Sequence, residues 1–271
     1  MGKGSLYIRL RRCLSKHATA VALRNFMARR QNIHPFDRKH RVDTSGLIYA
    51  DGLSSGHEHD KHSAGYYATA PSLFHGVIAH WSATLARAGF TLNDYALFDI
   101  GCGKGRVVLL ASEYPFRQIV GVELNPSLAQ TARKNLNIWQ RAPRASRNVH
   151  VVTGDVLSVP IPDGPVVIYF FNSFERELLQ MLLNRLLEIS ATRSDPIDLL
   201  YVHPEYAGLV SQTPRMELLA DEKIPFTPKD AAADVFNVNV DRCSIYRLPG
   251  LLNPTSEPPL ESSRRAPPPT Q

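Results

Sequence analysis

The residues best suited to chemistry in this chain begin at Asp99, in the run Asp99-Ile100-Gly101-Cys102-Gly103-Lys104-Gly105. The apolar stretch Tyr95–Ile100 reads as a buried strand ending at this loop, and Arg106–Ser112 reads as the helix that leaves it. Glycines at three alternate positions permit positive φ angles and a close approach of backbone to a ligand. A helix N-terminus adds unpaired N–H groups and a field that favours an anion or carboxylate. Asp99 places a carboxylate at the strand end, which disfavours a pyrophosphate and suits an ammonium group. Donors on one side and a carboxylate on the other fit an amino acid. The spacing G-x-G-x-G also falls one residue short of the dinucleotide fingerprint G-x-G-x-x-G.

Two further acids follow in order. Glu123 closes a second apolar run, Gln118–Glu123, and lies 22 residues after Gly101, close to the spacing of a ribose-binding carboxylate. Asp155, in Gly154-Asp155-Val156, follows a third run, Val149–Thr153. A fourth run, Val166–Phe171, ends at Asn172-Ser173-Phe174. There Asn172 is placed to accept a hydrogen bond from an N–H, and Phe171 and Phe174 to exclude water.

In this order the residues resemble class I S-adenosylmethionine-dependent methyltransferases. Asp99, Gly101, Gly103 and Gly105 match that family's first motif, D-x-G-x-G-x-G. The resemblance implies S-adenosylmethionine as cofactor, with Glu123 on the ribose hydroxyls and Asp155 on the adenine amino group. Leu124 and Val156 join the same binding set, and Asn172 faces the methyl group at its edge. The stretches Phe98–Val107, Val120–Pro126, Val42–Gly46 and Gly65–Pro71 look similar to a group of bacterial methyltransferases. A narrower likeness, confined to the cofactor motifs, is to protein lysine methyltransferases of the histone-modifying Dot1 type. The family's base- and glutamine-methylating members carry N-P-P-Y where this chain has Asn172-Ser173-Phe174, without either proline. The expected acceptor is a nitrogen of a protein (lysine) or of a small molecule, with Asn172 and Tyr67 as catalytic candidates. Asp43 and Thr44 are candidates for a lid over the cofactor.

These residues need a scaffold that gathers strand ends at one edge. Helical spacing marks Leu73–Ala88, Pro126–Trp139, with Asn125 as its N-cap, and Glu175–Ile189. Asp198–Val202 reads as a fifth strand, and Val235–Asn239 with Ser244–Arg247 as a closing hairpin. Strands alternating with helices imply a parallel sheet covered on both faces, with ligands beyond the carboxyl ends of its strands. The expected fold is α/β: a doubly wound, mostly parallel, seven-stranded Rossmann-like sheet with a C-terminal antiparallel strand. The expected organisation is a basic arm and lid segment over 1–69, a catalytic domain over 70–248, and a Pro/Ser-rich disordered tail over 249–271.

The chain has 271 residues and a formal net charge of +6. The excess is local: residues 1–35 contain no acid but include Arg9, Arg11, Arg12, Arg24, Arg29 and Arg30. Leu10, Leu14, Ala18, Val21 and Ala22 fall there at helical spacing, so a solvated basic helix is expected, with a transit peptide as the alternative. A basic arm also raises a rival class, a non-catalytic nucleic-acid-binding module. The other rival is an NAD-dependent Rossmann oxidoreductase. No apolar run is long enough to cross a bilayer. Three widely spaced cysteines, Cys13, Cys102 and Cys243, suit a reducing cytoplasm. His57-Glu-His-Asp-Lys-His62 looks like a metal tract, but no distant Cys or His set completes it, so no metal is expected. His203 and Glu205 lie just past the fifth strand, on a loop within reach of a substrate.

Overall fold

A computed structural model describes residues 33–62, 65–140 and 142–251. The basic arm through residue 32, with its expected helix, and the Pro/Ser-rich stretch from residue 252 lie outside the described residues.

Seven strands form one sheet. In chain order they are β3 (Ala96–Ile100), β4 (Gln118–Glu123), β5 (Val149–Thr153), β6 (Val166–Phe171), β7 (Ile197–Val202), β8 (Glu217–Pro225) and β9 (Val240–Leu248). The spatial order is β5-β4-β3-β6-β7-β9-β8. The first five run parallel, β9 runs antiparallel to β7, and β8 pairs antiparallel with β9 at the edge. The direction of winding reverses between β3 and β6, so β3 lies where a crevice opens beyond the strand ends.

Apolar side chains cover both faces, as a parallel sheet requires. α2 (Pro71–Arg87), α3 (Arg106–Ala111) and α4 (Pro126–Trp139) lie with one cluster, and α5 (Arg176–Ala191) and α6 (Ala207–Ser211) with the other. Leu73, Phe74, Val77, Ile78, Trp81 and Leu85 form the buried stripe of α2, at the spacing of a single helix face. Trp81 Nε1 donates to Asp198 Oδ2 at 2.8 Å, and Arg247 Nε holds Asp198 Oδ1 at 2.7 Å. This answers the one carboxylate buried in β7. Asn125 caps α4, its Oδ1 accepting from Ser127 N and Leu128 N.

The closing hairpin differs from the sequence expectation. Ser244–Arg247 belongs to β9, but its partner is Glu217–Pro225, while Val235–Asn239 forms no strand. Asp234 explains the second point: its Oδ1 accepts from Phe236 N at 2.8 Å and Val238 N at 3.0 Å, which pulls the segment into a turn. β8 is an edge strand in which Ile224 alone is buried, so it lacks the apolar signature that marks the central strands. α7 (Pro228–Ala233) lies in the connection between the two strands.

Before the sheet, α1 (Pro35–His40), β1 (Leu47–Ile48) and β2 (Tyr66–Tyr67) form a strap laid on the domain. Phe36 packs on Trp139 with ring centroids 5.5 Å apart. Arg106, the first residue of α3, reaches into the strap: its Nη2 lies 3.4 Å from Asp37 Oδ1, and its Nε donates to Thr44 Oγ1 at 2.7 Å. Among the described residues, no helix is long and apolar enough to cross a membrane.

Candidate functional site

A cavity of about 1030 Å³, counted with its open mouth, lies at the carboxyl ends of β3, β4 and β6. Gly101 and Cys102 of the glycine loop line it. Gly101, Gly103 and Gly105 all have positive φ, at 68°, 55° and 86°. Gly103 also meets the second requirement of its type: a Cβ there would sit 2.2 Å from the Tyr66 ring. Most of the loop's own N–H groups are used to hold its shape. Gly101 N and Cys102 N both donate to Val122 O, at 2.9 and 3.0 Å, and Gly105 N donates to Cys102 O at 2.8 Å.

Two carboxylates line the crevice. Asp99 is buried, and its Oδ2 has no hydrogen-bond partner among the described residues. Burial and the neighbouring Glu123 push its carboxyl well above the usual carboxylate range. Glu123 is also raised, by burial, against the opposing pull of backbone N–H donors. Its Oε2 accepts from Gly103 N and its Oε1 from Asn125 N, both at 2.8 Å. With about four lone-pair positions on its two oxygens, the carboxylate keeps capacity for a further donor. Cys102 is buried beside both acids; burial, reinforced by their charges, keeps its thiol protonated, which argues for a packing role.

At the opposite side of the cavity, Asp155 Oδ1 accepts from Leu157 N at 3.0 Å, and Oδ2 lies 3.2 Å from His59 Nδ1. Leu124 and Val156 line the same wall. Tyr67, Thr69, Tyr169 and Phe171 line the remaining end. Tyr67 donates its hydroxyl to Asp234 Oδ2, and its ring lies 5.4 Å from that of Phe236 and 6.4 Å from that of Phe171. Phe171 meets His203 edge-on at 6.2 Å, and His203 Nδ1 lies 3.0 Å from Asp241 Oδ1.

Asp99, Gly101, Glu123, Leu124, Asp155, Val156 and Tyr67 thus line one cavity, whereas Gly103 and Gly105, in the same loop and also at positive φ, are not part of its lining. Asn172 stands apart. Its backbone has φ 39°, its Oδ1 accepts from Tyr201 OH at 3.1 Å, and its Nδ2 donates to Glu205 Oε2 at 3.2 Å. The amide is turned towards the end of β7, and the cavity lining passes from Phe171 to Ser173 and Phe174. It does not cap α5 either, whose N-cap is Glu175.

Sequence reasoning passed over the groups that bind the strap to the loop. Lys104 Nζ donates to Asp43 Oδ1 at 2.7 Å and to Ser45 O at 2.8 Å. Tyr66 OH donates to Thr44 O at 2.5 Å. Asp43 therefore meets Lys104 of the glycine loop and Thr44 meets Arg106 just after it, while Arg106 and Asp37 carried no motif to announce them. Phe236 was hidden inside the expected strand Val235–Asn239, and Asp234 directly precedes it. The 57–62 tract finds its distant carboxylates in Asp155 and Glu175, 3.2 Å from His59 and 3.6 Å from His62.

Residues 97–189 match the family model described as a methyltransferase domain. A 45-residue segment is 49% identical to the release factor glutamine methyltransferase of Vibrio cholerae, covering 16% of each chain. A 75-residue segment is 31% identical to the ribosomal protein L11 methyltransferase of Clostridium perfringens, covering 28% of this chain and 22% of that one. The matched segments therefore span about a fifth or less of these relatives. An RNA methyltransferase from Salinibacter ruber, solved with S-adenosyl-L-homocysteine, is similar over 62% of this chain and 88% of its own, at 18% identity and a TM-score of 0.38.

The site's chemistry fits the family's cofactor. Asp99 offers a buried, unpartnered carboxylate oxygen to an ammonium, and Glu123 offers a carboxylate with remaining acceptor capacity to a hydroxyl. By its matched domain, its sheet order and its acid-lined crevice, the chain carries a class I S-adenosylmethionine-dependent methyltransferase domain, with S-adenosylmethionine as cofactor.

Proposed function

We propose that this chain transfers a methyl group from S-adenosylmethionine to an amine nitrogen, of a protein lysine or of a small molecule. When bound, the cofactor supplies an already activated sulfonium methyl, so the protein's task is alignment and exclusion of water. Asp99 takes the ammonium of the methionine part, Glu123 the ribose hydroxyls and Asp155 the adenine amino group. Leu124 and Val156 flank the adenine, and Gly101, Gly103 and Gly105 let the backbone come close.

The observation that carries the acceptor assignment is the far end of the cavity. Its walls are the aromatic rings of Tyr67, Tyr169 and Phe171. Two carboxylates are tied to those walls, Asp234 through Tyr67 and Asp241 through His203, and the one guanidinium in the lining, Arg106, is paired with Asp37. Aromatic faces and carboxylates together attract a cation. An amine arrives as a cation and must lose a proton before it can attack, and the Tyr67–Asp234 pair stands where that proton can be received. The two curated relatives named above are, by name, methyltransferases of proteins, which accords with a protein acceptor.

Labelled S-adenosylmethionine incubated with lysate and this chain tests the reading. Label is expected in protein or in basic small molecules, as a base-stable methylamine. Label recovered in nucleic acid, or as base-labile methyl ester, overturns it.

A further inference from the structure

The histidine tract at 57–62 has no role in the methyl transfer as described, yet its His59 and Asp60 line the same cavity, beside Asp155. Asp60 sets its shape: Oδ2 accepts from Ser55 N at 2.7 Å and Gly56 N at 2.8 Å, and Oδ1 from Ser55 Oγ at 2.6 Å. The short 3-10 turn Glu58–His62 follows, and the rings of His57 and His59 come to rest 5.0 Å apart, edge to face. One ligand atom each from His57, His59 and Asp155 then fall within 4.8 Å of one another.

We propose that His57, His59 and Asp155 form a site for a divalent transition-metal ion of the zinc type. Two imidazoles and one carboxylate are the donor set of such sites, with a fourth position left to water. The borderline nitrogen donors select against magnesium and calcium, which take oxygen ligands. A tetrahedral ion with bonds of about 2.0–2.2 Å holds its ligand atoms a little over 3 Å apart. His59 Nδ1 and Asp155 Oδ2 already stand at 3.2 Å, so His57 makes the main adjustment. His57 is exposed and gives up one hydrogen bond, the 3.2 Å contact that its Nδ1 accepts from His59 N. The ion joins ligands about a hundred residues apart in sequence. It clasps the 57–62 turn to the wall of the cavity that holds Leu124 and Val156.

A second group joins His62, on the same turn, to Glu175 and Glu177 at the start of α5, and supplies the control. The test is titration of zinc, against a chromophoric chelator, into the full chain stripped of metal. One equivalent is expected to bind, unaffected by excess magnesium. His57→Ala and His59→Ala are each expected to weaken binding at least tenfold, and His62→Ala to leave it unchanged. Circular dichroism of the variants shows whether they fold, and cobalt in place of zinc is expected to give the visible absorption of a tetrahedral site. Absence of zinc binding in the unsubstituted chain overturns the proposal. So does loss of binding in His62→Ala with retention in His57→Ala, which moves the site to the second group.

Discussion

The guanidinium of Arg106 and the carboxylate of Asp37 meet at 3.4 Å with both side chains buried, 69 residues apart in sequence. Arg106 directly follows Gly105, so this pair ties the strap to the residue that ends the cofactor loop. Asp37 is fully committed: Oδ1 also accepts from Thr44 Oγ1 at 2.5 Å, and Oδ2 from Thr44 N at 2.7 Å and Ser45 N at 2.6 Å. Removing one partner of a buried pair strands the other charge, at a cost of about 3–5 kcal/mol. Asp37→Ala is therefore expected to lose about that much stability in urea melts and to weaken S-adenosylhomocysteine binding. The double variant Asp37→Leu/Arg106→Met, with no charge left to strand, is expected to regain most of the stability. If the single and double variants are equally unstable, the pair is not what ties the strap down.

Asp99 trades stability for binding. Its carboxyl is raised above the usual range by burial and by Glu123, so folding without ligand disfavours its ionised form. A carboxylate whose pKa is raised on folding contributes stability below its unfolded pKa and loses it as pH rises through the folded value. Asp99→Asn removes that loss. The ligand-free variant is expected to melt at a higher temperature than the parent at pH 7, and the difference is expected to shrink towards pH 4. Cofactor binding is expected to disappear in the same variant. In the parent, an ammonium arriving at Asp99 draws the carboxyl into its ionised form, so a proton is released and affinity rises with pH. Calorimetry in buffers of different ionisation enthalpy measures that proton; no release means that Asp99 is already ionised or does not meet the ammonium.

The parts of this molecule legible in its sequence are those with a local cause. β3, β4, β6 and β7 are buried on both faces, so each shows as an apolar run, and β5, half-exposed at the other edge, still shows through its three valines. The glycine loop shows because its backbone angles exclude other residues, and Asp99, Glu123 and Asp155 show because each ends or follows such a run. β8 did not show, because an edge strand carries charges where a central strand carries valines. The strap's bonds did not show, because Arg106–Asp37 and Lys104–Asp43 are long-range pairs with no spacing rule. Asn172 sits at the expected strand end, but its left-handed backbone and two side-chain partners aim the amide at Tyr201 and Glu205. Sequence position places a residue at a strand end and leaves its side-chain direction open.

Gly103 and Gly105 separate two reasons for being glycine. Both have positive φ, which costs an L-residue about 1–2 kcal/mol. At Gly105 an added Cβ meets Ala132 Cβ at 3.0 Å, a contact that a few tenths of an ångström relieve. At Gly103 it meets the Tyr66 ring at 2.2 Å, and that ring is fixed by its hydroxyl bond to Thr44 O. Gly105→Ala is expected to cost about 1–2 kcal/mol and to keep measurable cofactor affinity. Gly103→Ala is expected to cost more and to abolish binding, since Tyr66 must leave and Gly103 N must release Glu123. Adding Tyr66→Ala to Gly103→Ala relieves the clash, and part of the cofactor affinity is expected to return. If it does not, the backbone angle alone accounts for the loss.

Tyr67 tests the acceptor end without disturbing the cofactor end. Its hydroxyl donates to Asp234, whose other oxygen is held by Phe236 N and Val238 N. Tyr67→Phe keeps the aromatic wall against Phe171 and Phe236 and deletes that single hydroxyl. Asp234 keeps its two backbone donors, so the turn is expected to hold and the melting temperature to change little. If the Tyr67–Asp234 pair receives the acceptor's proton, kcat falls by about 10²-fold while S-adenosylhomocysteine affinity stays within about twofold. The deficit is expected to be largest at low pH, where the amine is protonated, and to narrow as pH rises and the acceptor deprotonates in solution. Asp234→Asn is expected to give the same pH-dependent loss through the other member of the pair. A fall in cofactor affinity with kcat unchanged would instead assign Tyr67 to the lid that β2 forms over the loop.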